Sequence, residues 1–239
     1  MILDDITTEN IKKIIGPIEN EMQRKDSFED ASQFFCERIY DLFRENALLV
    51  RVFLSVPYQE LPEQNKKFVN ELLGAKSNLL KQNTQILSLV GTKGDLPEWG
   101  SRLNSKGHVG IPLISREFIH DIPMMNRVLQ QIGVSFGDDI KNPSDNKSFS
   151  GLFYVKDSQS ELDDLGRHVI ASQEFVEKYG VKTVFGFGGA YLNNDNFFTA
   201  IIFLKKQVNM GPVENVALSA TNFKIATKGY LTSRRIFND

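Results

Sequence analysis

The chain has 239 residues, with 28 Lys+Arg against 30 Asp+Glu, a formal charge of −2, and 41% hydrophobic, 10% aromatic and 24% charged residues. This is globular composition, and at roughly 100–200 residues per domain the length fits one large domain or two small ones. A chain of this size buries enough surface to need no disulfide or structural metal. Its near-neutral charge gives no electrostatic ground for a nucleic-acid partner, and no run approaches the ~20 apolar residues of a membrane span.

The opening MILDDITTEN lacks the positive and apolar regions of a signal peptide. Cys36 is the only cysteine, so no intrachain disulfide forms, which fits a reducing, cytoplasmic setting. It lies in Phe34-Phe35-Cys36-Glu37-Arg38-Ile39, a helical pattern in which a lone thiol is read as a small buried hydrophobe.

Residues 1–26 form a polar N-terminal segment in which Ile11, Ile14, Ile15 and Ile18 have the spacing of a short docking helix, interrupted by Gly16-Pro17. Ser27 reads as an N-cap, and Phe28, Ala31, Phe35, Ile39 and Leu42 predict a helix over 28–45. The apolar, β-branched run 47–54 predicts a strand. Pro62 then opens a helix with Phe68, Val69, Leu72 and Leu73 inward, and Gly74 ends it. A second strand is expected at 84–90, followed by a polar segment from Gly91 and a short strand within 108–113. Helix is expected over 116–132, capped by Ser115 and broken at Pro123.

Residues 137–148 have loop chemistry, 150–155 reads as a strand, and helices are expected near 158–166 and 172–178. The strongest local signal is a hairpin, Val181–Tyr191 and Phe197–Val208 joined across Leu192–Asn196. Pro212 opens a closing helix with Gly229 as its C-cap, and 233–239 is expected to be a loose tail. Hairpin strands must be antiparallel. The expected class is therefore α+β, a central antiparallel sheet with flanking N- and C-terminal helices, folded as one domain over 27–232.

The run Tyr179-Gly180-Val181-Lys182-Thr183-Val184-Phe185-Gly186-Phe187-Gly188-Gly189, the strand Phe197–Leu204 and the helix after it resemble the end of a GAF domain. That resemblance implies a GAF/PAS-like (profilin-like) sheet, with terminal helices on one face and a loop-covered small-molecule pocket on the other. It also implies an input module for histidine kinases or cyclases. The segment Gly91-Thr92-Lys93-Gly94-Asp95-Leu96-Pro97-Glu98-Trp99, with Arg102, 104–108 and 111–113, is similar to sensor regions of bacterial signalling proteins. The chain has no Asn-Lys-Phe-Asp-Glu motif, and its one cysteine lies in the first predicted helix of the domain. Both departures weigh against cyclic-nucleotide and covalently bound chromophore ligands.

The functional expectation is a non-catalytic sensing or regulatory module with a ligand between the sheet and the 91–113 segment. Arg102 would hold an anionic group in a bidentate fork, Trp99 and Phe187 would give apolar contact, and His108 would supply a hydrogen bond. The competing reading makes that segment a surface loop with Trp99 pinned in the core. Gly186, Gly188 and Gly189 mark sheet curvature or room for a ligand. No catalytic residue or metal ligand is assigned: His108, His120 and His168 show no ligand spacing, and G-x-S-x-G and Walker A patterns are absent. The cofactor stays unassigned. The expected partners are a small molecule and either a second copy or a signalling protein. Two alternatives stand beside this: a small hydrolase or transferase using His108 with Asp95 or Glu98, and an interaction protein dimerising through 28–45 and 212–228.

Overall fold

The computed structural model describes residues 3–136, 140–141, 150–192 and 194–238. Helices α1 (Thr8–Met22) and α2 (Phe28–Leu42) come first. Thr7 and Ser27 cap them, each side chain accepting the backbone N–H three residues on. Strand β1 (Ala47–Pro57), α3 (Glu63–Leu73), β2 (Gln85–Gly94) and the short β3 (Gly110–Pro112) follow. The break expected at Pro123 separates α4 (Arg116–His120) from α5 (Pro123–Gln131). Two-residue strands β4 (Ser135–Phe136) and β5 (Ile140–Lys141) pair with each other, and β5 falls within 137–148, expected to be loop, most of which lies outside the described residues. The chain closes with β6 (Gly151–Val155), α6 (Gln173–Tyr179), β7 (Thr183–Ala190), β8 (Phe197–Leu204), α7 (Met210–Ala217) and α8 (Ser219–Thr232).

Six of these strands form one sheet in the order β3-β2-β1-β8-β7-β6, with every neighbouring pair antiparallel. The expected hairpin is β7–β8, with Thr183 opposite Leu204 and Ala190 opposite Phe197. Both faces are covered, which is why β1 and β8 are apolar almost throughout. On the proximal face Val50, Val52, Leu54, Phe185, Phe187, Phe198 and Ile202 pack against α1, α2, α7 and α8. Phe223 of α8 stacks on Phe198 at 4.5 Å and meets Phe35 edge-on at 5.1 Å. On the distal face Leu49, Phe53, Leu89, Val184 and Ile201 pack beneath Met125, Val128, Leu129, Val169, Ile170 and Val176.

Four local expectations give way to tertiary structure. No helix forms at 158–166. The Asp163 carboxylate accepts from the backbone N–H groups of Leu165 and Arg167, and Gly166 takes a left-handed φ of 74°. Helix α1 runs through Gly16-Pro17. The closing helix divides at Leu218, and α8 continues past Gly229 to Thr232, its last turn held by the Tyr230 hydroxyl on the carbonyls of Met22 and Lys25. The tail expected to be loose is docked. The carbonyls of Arg235 and Ile236 accept the N–H groups of Phe28 and Glu29, two of the donors that a helix N-terminus leaves unmet.

The strand glycines serve close approach. A Cβ on Gly188 would fall 2.1 Å from the Phe198 carbonyl oxygen, and one on Gly186 would fall 2.6 Å from that of Ala200. Gly186 and Gly188 let β7 lie tightly on β8. Gly188→Ala is expected to lower stability by about 3 kcal/mol in urea unfolding. Gly16→Ala, with nothing within 4 Å of its added carbon, should instead stabilise α1 by about 0.5–1 kcal/mol.

Candidate functional site

Strand β3 pairs with only three residues of β2, Ile86 to Ser88. Beyond them the outer flank of β2 has no strand neighbour among the described residues, and buried main-chain groups there need other partners. Residues 95–108 cross that flank as two 3-10 turns, Pro97–Trp99 and Arg102–Asn104, the second capped by Ser101. Gln33 of α2 brackets the strand: its Oε1 accepts from Thr92 N–H at 3.1 Å and its Nε2 donates to the Thr92 carbonyl at 3.1 Å. The same Nε2 reaches the Gly100 carbonyl at 3.0 Å, so one side chain joins α2, β2 and the crossing segment. Helix α2 lies so close that a Cβ on Gly91 would meet Ser32 backbone at 2.6 Å.

Trp99 turns to the distal face and is 8% exposed. Its ring packs edge-on against Tyr179 at 5.1 Å and beside Phe175 at 6.0 Å, both from α6. Arg102 turns to the proximal side and is 3% exposed. Its Nε and Nη2 donate to the two carboxylate oxygens of Glu29 at 2.7 and 3.0 Å. Its Nη1 donates to Asn65 Oδ1 at 3.1 Å, and Asn65 in turn donates to Ser88 Oγ at 2.8 Å. The Phe237 ring lies 5.2 Å from the guanidinium. The fork expected to grip a ligand therefore grips Glu29 and ties the segment to α2 and to the docked tail.

The four expected ligand residues do not converge. Phe187 is fully buried in the proximal core, edge-on to Phe35 at 6.3 Å, with the sheet between it and Trp99. His108 is exposed, holds a left-handed φ of 56°, and has its pKa lowered by local desolvation and by Arg51. Among the described residues no hydrogen bond or ion pair joins His108 to Asp95 or Glu98, the pairing of the hydrolase alternative. Asp95 is bonded to the Tyr40 hydroxyl and, at 3.1 Å, to Lys205 Nζ. Burial and that carboxylate raise the Tyr40 pKa to about 12. Cys36 is buried, and burial raises its thiol pKa well above the ordinary value, the state of an unreactive core thiol.

The residue missed in the sequence is Arg51. It sits in the middle of β1, opposite Ile201 of β8 and Thr92 of β2, which places it on the distal face. It is 8% exposed. Its Nη1 donates to the Gly107 carbonyl at 3.2 Å and its Nη2 to Ser105 Oγ at 3.1 Å. The signal was present: an arginine inside Leu48-Leu49-Val50-Arg51-Val52-Phe53-Leu54 breaks an apolar strand.

This architecture is a GAF-like fold: an antiparallel sheet with terminal helices on one face and loops and short helices on the other. The chain resembles the phycoerythrobilin-bound GAF domain of a cyanobacterial phytochrome at TM-score 0.50 and 11% identity, over 96% of this chain and 99% of that one. It also resembles free methionine-R-sulfoxide reductase from Neisseria meningitidis, solved with its substrate, at TM-score 0.50 and 8% identity, over 93% and 90% of the two chains. No family model and no curated protein matches the sequence.

Replacing Arg102 by Met removes the cation from a buried pair and leaves Glu29 uncompensated. R102M is expected to lower stability by about 3–5 kcal/mol in chemical denaturation, with faster amide exchange at Phe28 and Glu29 as the tail loosens.

Proposed function

We propose that this chain is a non-catalytic sensory or regulatory module of signal transduction. A change on the loop-covered distal face is passed through residues 95–108 to the terminal-helix layer. The observation that carries this reading is the double fastening of that segment to α2, by Gln33 on Thr92 and Gly100 and by Arg102 on Glu29. A ligand shifts an equilibrium only by binding two states differently. Here the two states would differ in how the segment sits on the flank of β2. Movement of the segment would act on Gln33 and Glu29, one turn apart on α2, and through Glu29 on the tail, because the Asn238 N–H donates to its carboxylate at 3.3 Å.

The GAF-like fold supports this division into an input face and an output face. Among the described residues no helix is long and apolar enough to cross a membrane. The module would report to a partner protein or a second copy through its helices. Exposed Leu218 and Ile225, at the start and middle of the α8 stretch, are on that output layer.

The test is hydrogen exchange read by mass spectrometry. Gln33→Ala should speed exchange in both 95–108 and the first half of α2. Its global stability should fall by only about 1–2 kcal/mol, the scale of the bonds lost. Faster exchange confined to 95–108, with α2 unchanged, would contradict the coupling.

A further inference from the structure

We propose that Arg51 is the receptor for an anionic group, the carboxylate or phosphate of a small molecule bound on the distal face of the sheet. The inference rests on the sensing role proposed above and gives its ligand a chemical class.

Arg51 and Arg102 are touched by the same segment, and their surroundings differ. Arg102 is neutralised by a bidentate carboxylate. Arg51 is over nine-tenths buried, and among the described residues no carboxylate lies within ion-pair distance of it. Its two bonds go to neutral acceptors, Gly107 O and Ser105 Oγ, and its Nε–H has no partner among the described residues. Buried arginines are ordinarily paired, and an uncompensated buried charge is unfavourable enough that an apolar side chain usually serves better.

A second unmet group shares that face. Thr199 of β8 stands opposite Phe53, two positions along β1 from Arg51, and its buried Oγ1 has no hydrogen-bond partner. Two unsatisfied groups able to donate, one of them cationic, thus occupy neighbouring places on one sheet face. Burial lowers the Arg51 pKa to about 10, which leaves the guanidinium charged at neutral pH. A carboxylate or phosphate oxygen accepting from Nε would satisfy the donor and compensate the charge together, and such charge-assisted bonds are the strong ones. A neutral ligand would meet only half of that need.

The experiment follows the Arg51 Nε–H resonance of the full chain by NMR. Sodium phosphate and sodium acetate are titrated separately against sodium chloride at constant ionic strength. The proposal expects a saturable shift of that resonance, and of the Ser105 and Gly107 amides, with at least one of the two anions. Whichever anion binds the more tightly identifies phosphate or carboxylate as the source. In Arg51→Met the amide shifts should vanish, and the anion-free protein should melt at a higher temperature because the uncompensated charge is gone. Thr199→Val, nearly isosteric and remote from the guanidinium bonds, should fold as wild type and bind several-fold more weakly. The absence of a saturable response up to about 50 mM of either anion would overturn the site, as would amide shifts that persist in both variants. Anion binding without any change in α2 exchange would keep the site and defeat the sensory reading. Coupling seen in Gln33→Ala without anion binding would do the reverse.

Discussion

The unpaired flank of β2 is the constraint from which the rest of this structure follows. A three-residue β3 cannot cover a ten-residue β2. A strand that is buried on both faces cannot leave its edge groups unmet. The chain answers with a side chain acting as a strand: the Gln33 amide pairs with both main-chain groups of Thr92. It then runs 95–108 over the gap. A segment on a sheet edge can reach both layers, and this one does, with Trp99 in the distal core and Arg102 on the proximal side. The fastening of the distal face to α2 is a consequence of covering that edge.

The two arginines show how burial and pairing divide roles. Arg102 has the chemistry expected of a ligand fork, yet Glu29 fills it and Asn65 takes the remaining side. It acts as a rivet. Among the described residues Arg51 has neutral contacts alone and no partner for its Nε–H. An uncompensated buried guanidinium is unfavourable, and that is the ground for the anion site proposed on the loop-covered face.

Much of the fold was legible in the sequence because its signals are local. The Ser27 cap, the Pro123 break and the long β runs around Asn-rich 193–196 are short-range physics, and they predict α2, the α4–α5 division and the β7–β8 hairpin. The failures came where distant partners decide. Asp163 turns its own backbone away from helix, and Tyr230 carries α8 past a glycine by binding carbonyls some two hundred residues away in the chain. The tail read as loose because its partner, the start of α2, is far away in sequence. The candidate site was legible only as a region. Polarity and glycine content mark 91–108, but they do not say which face each side chain takes. Phe187 lies in the proximal core, a face that its alternation with glycines does not specify. Arg51 is a single charge inside the apolar run 47–54, whose composition predicts the strand but not the partners of its one cation.

The most direct measurement of the central claim, that the crossing segment links the distal face to α2, is a chemical-shift comparison of wild type with Ser105→Ala. That change removes one hydroxyl from beneath Arg51 and touches no residue of α2. The account predicts amide shift changes at Arg51 and His108 that continue through Gly100 into Glu29–Gln33 and on to residues 235–238. Changes confined to β1 and to 104–108, with α2 and the tail unmoved, would contradict it.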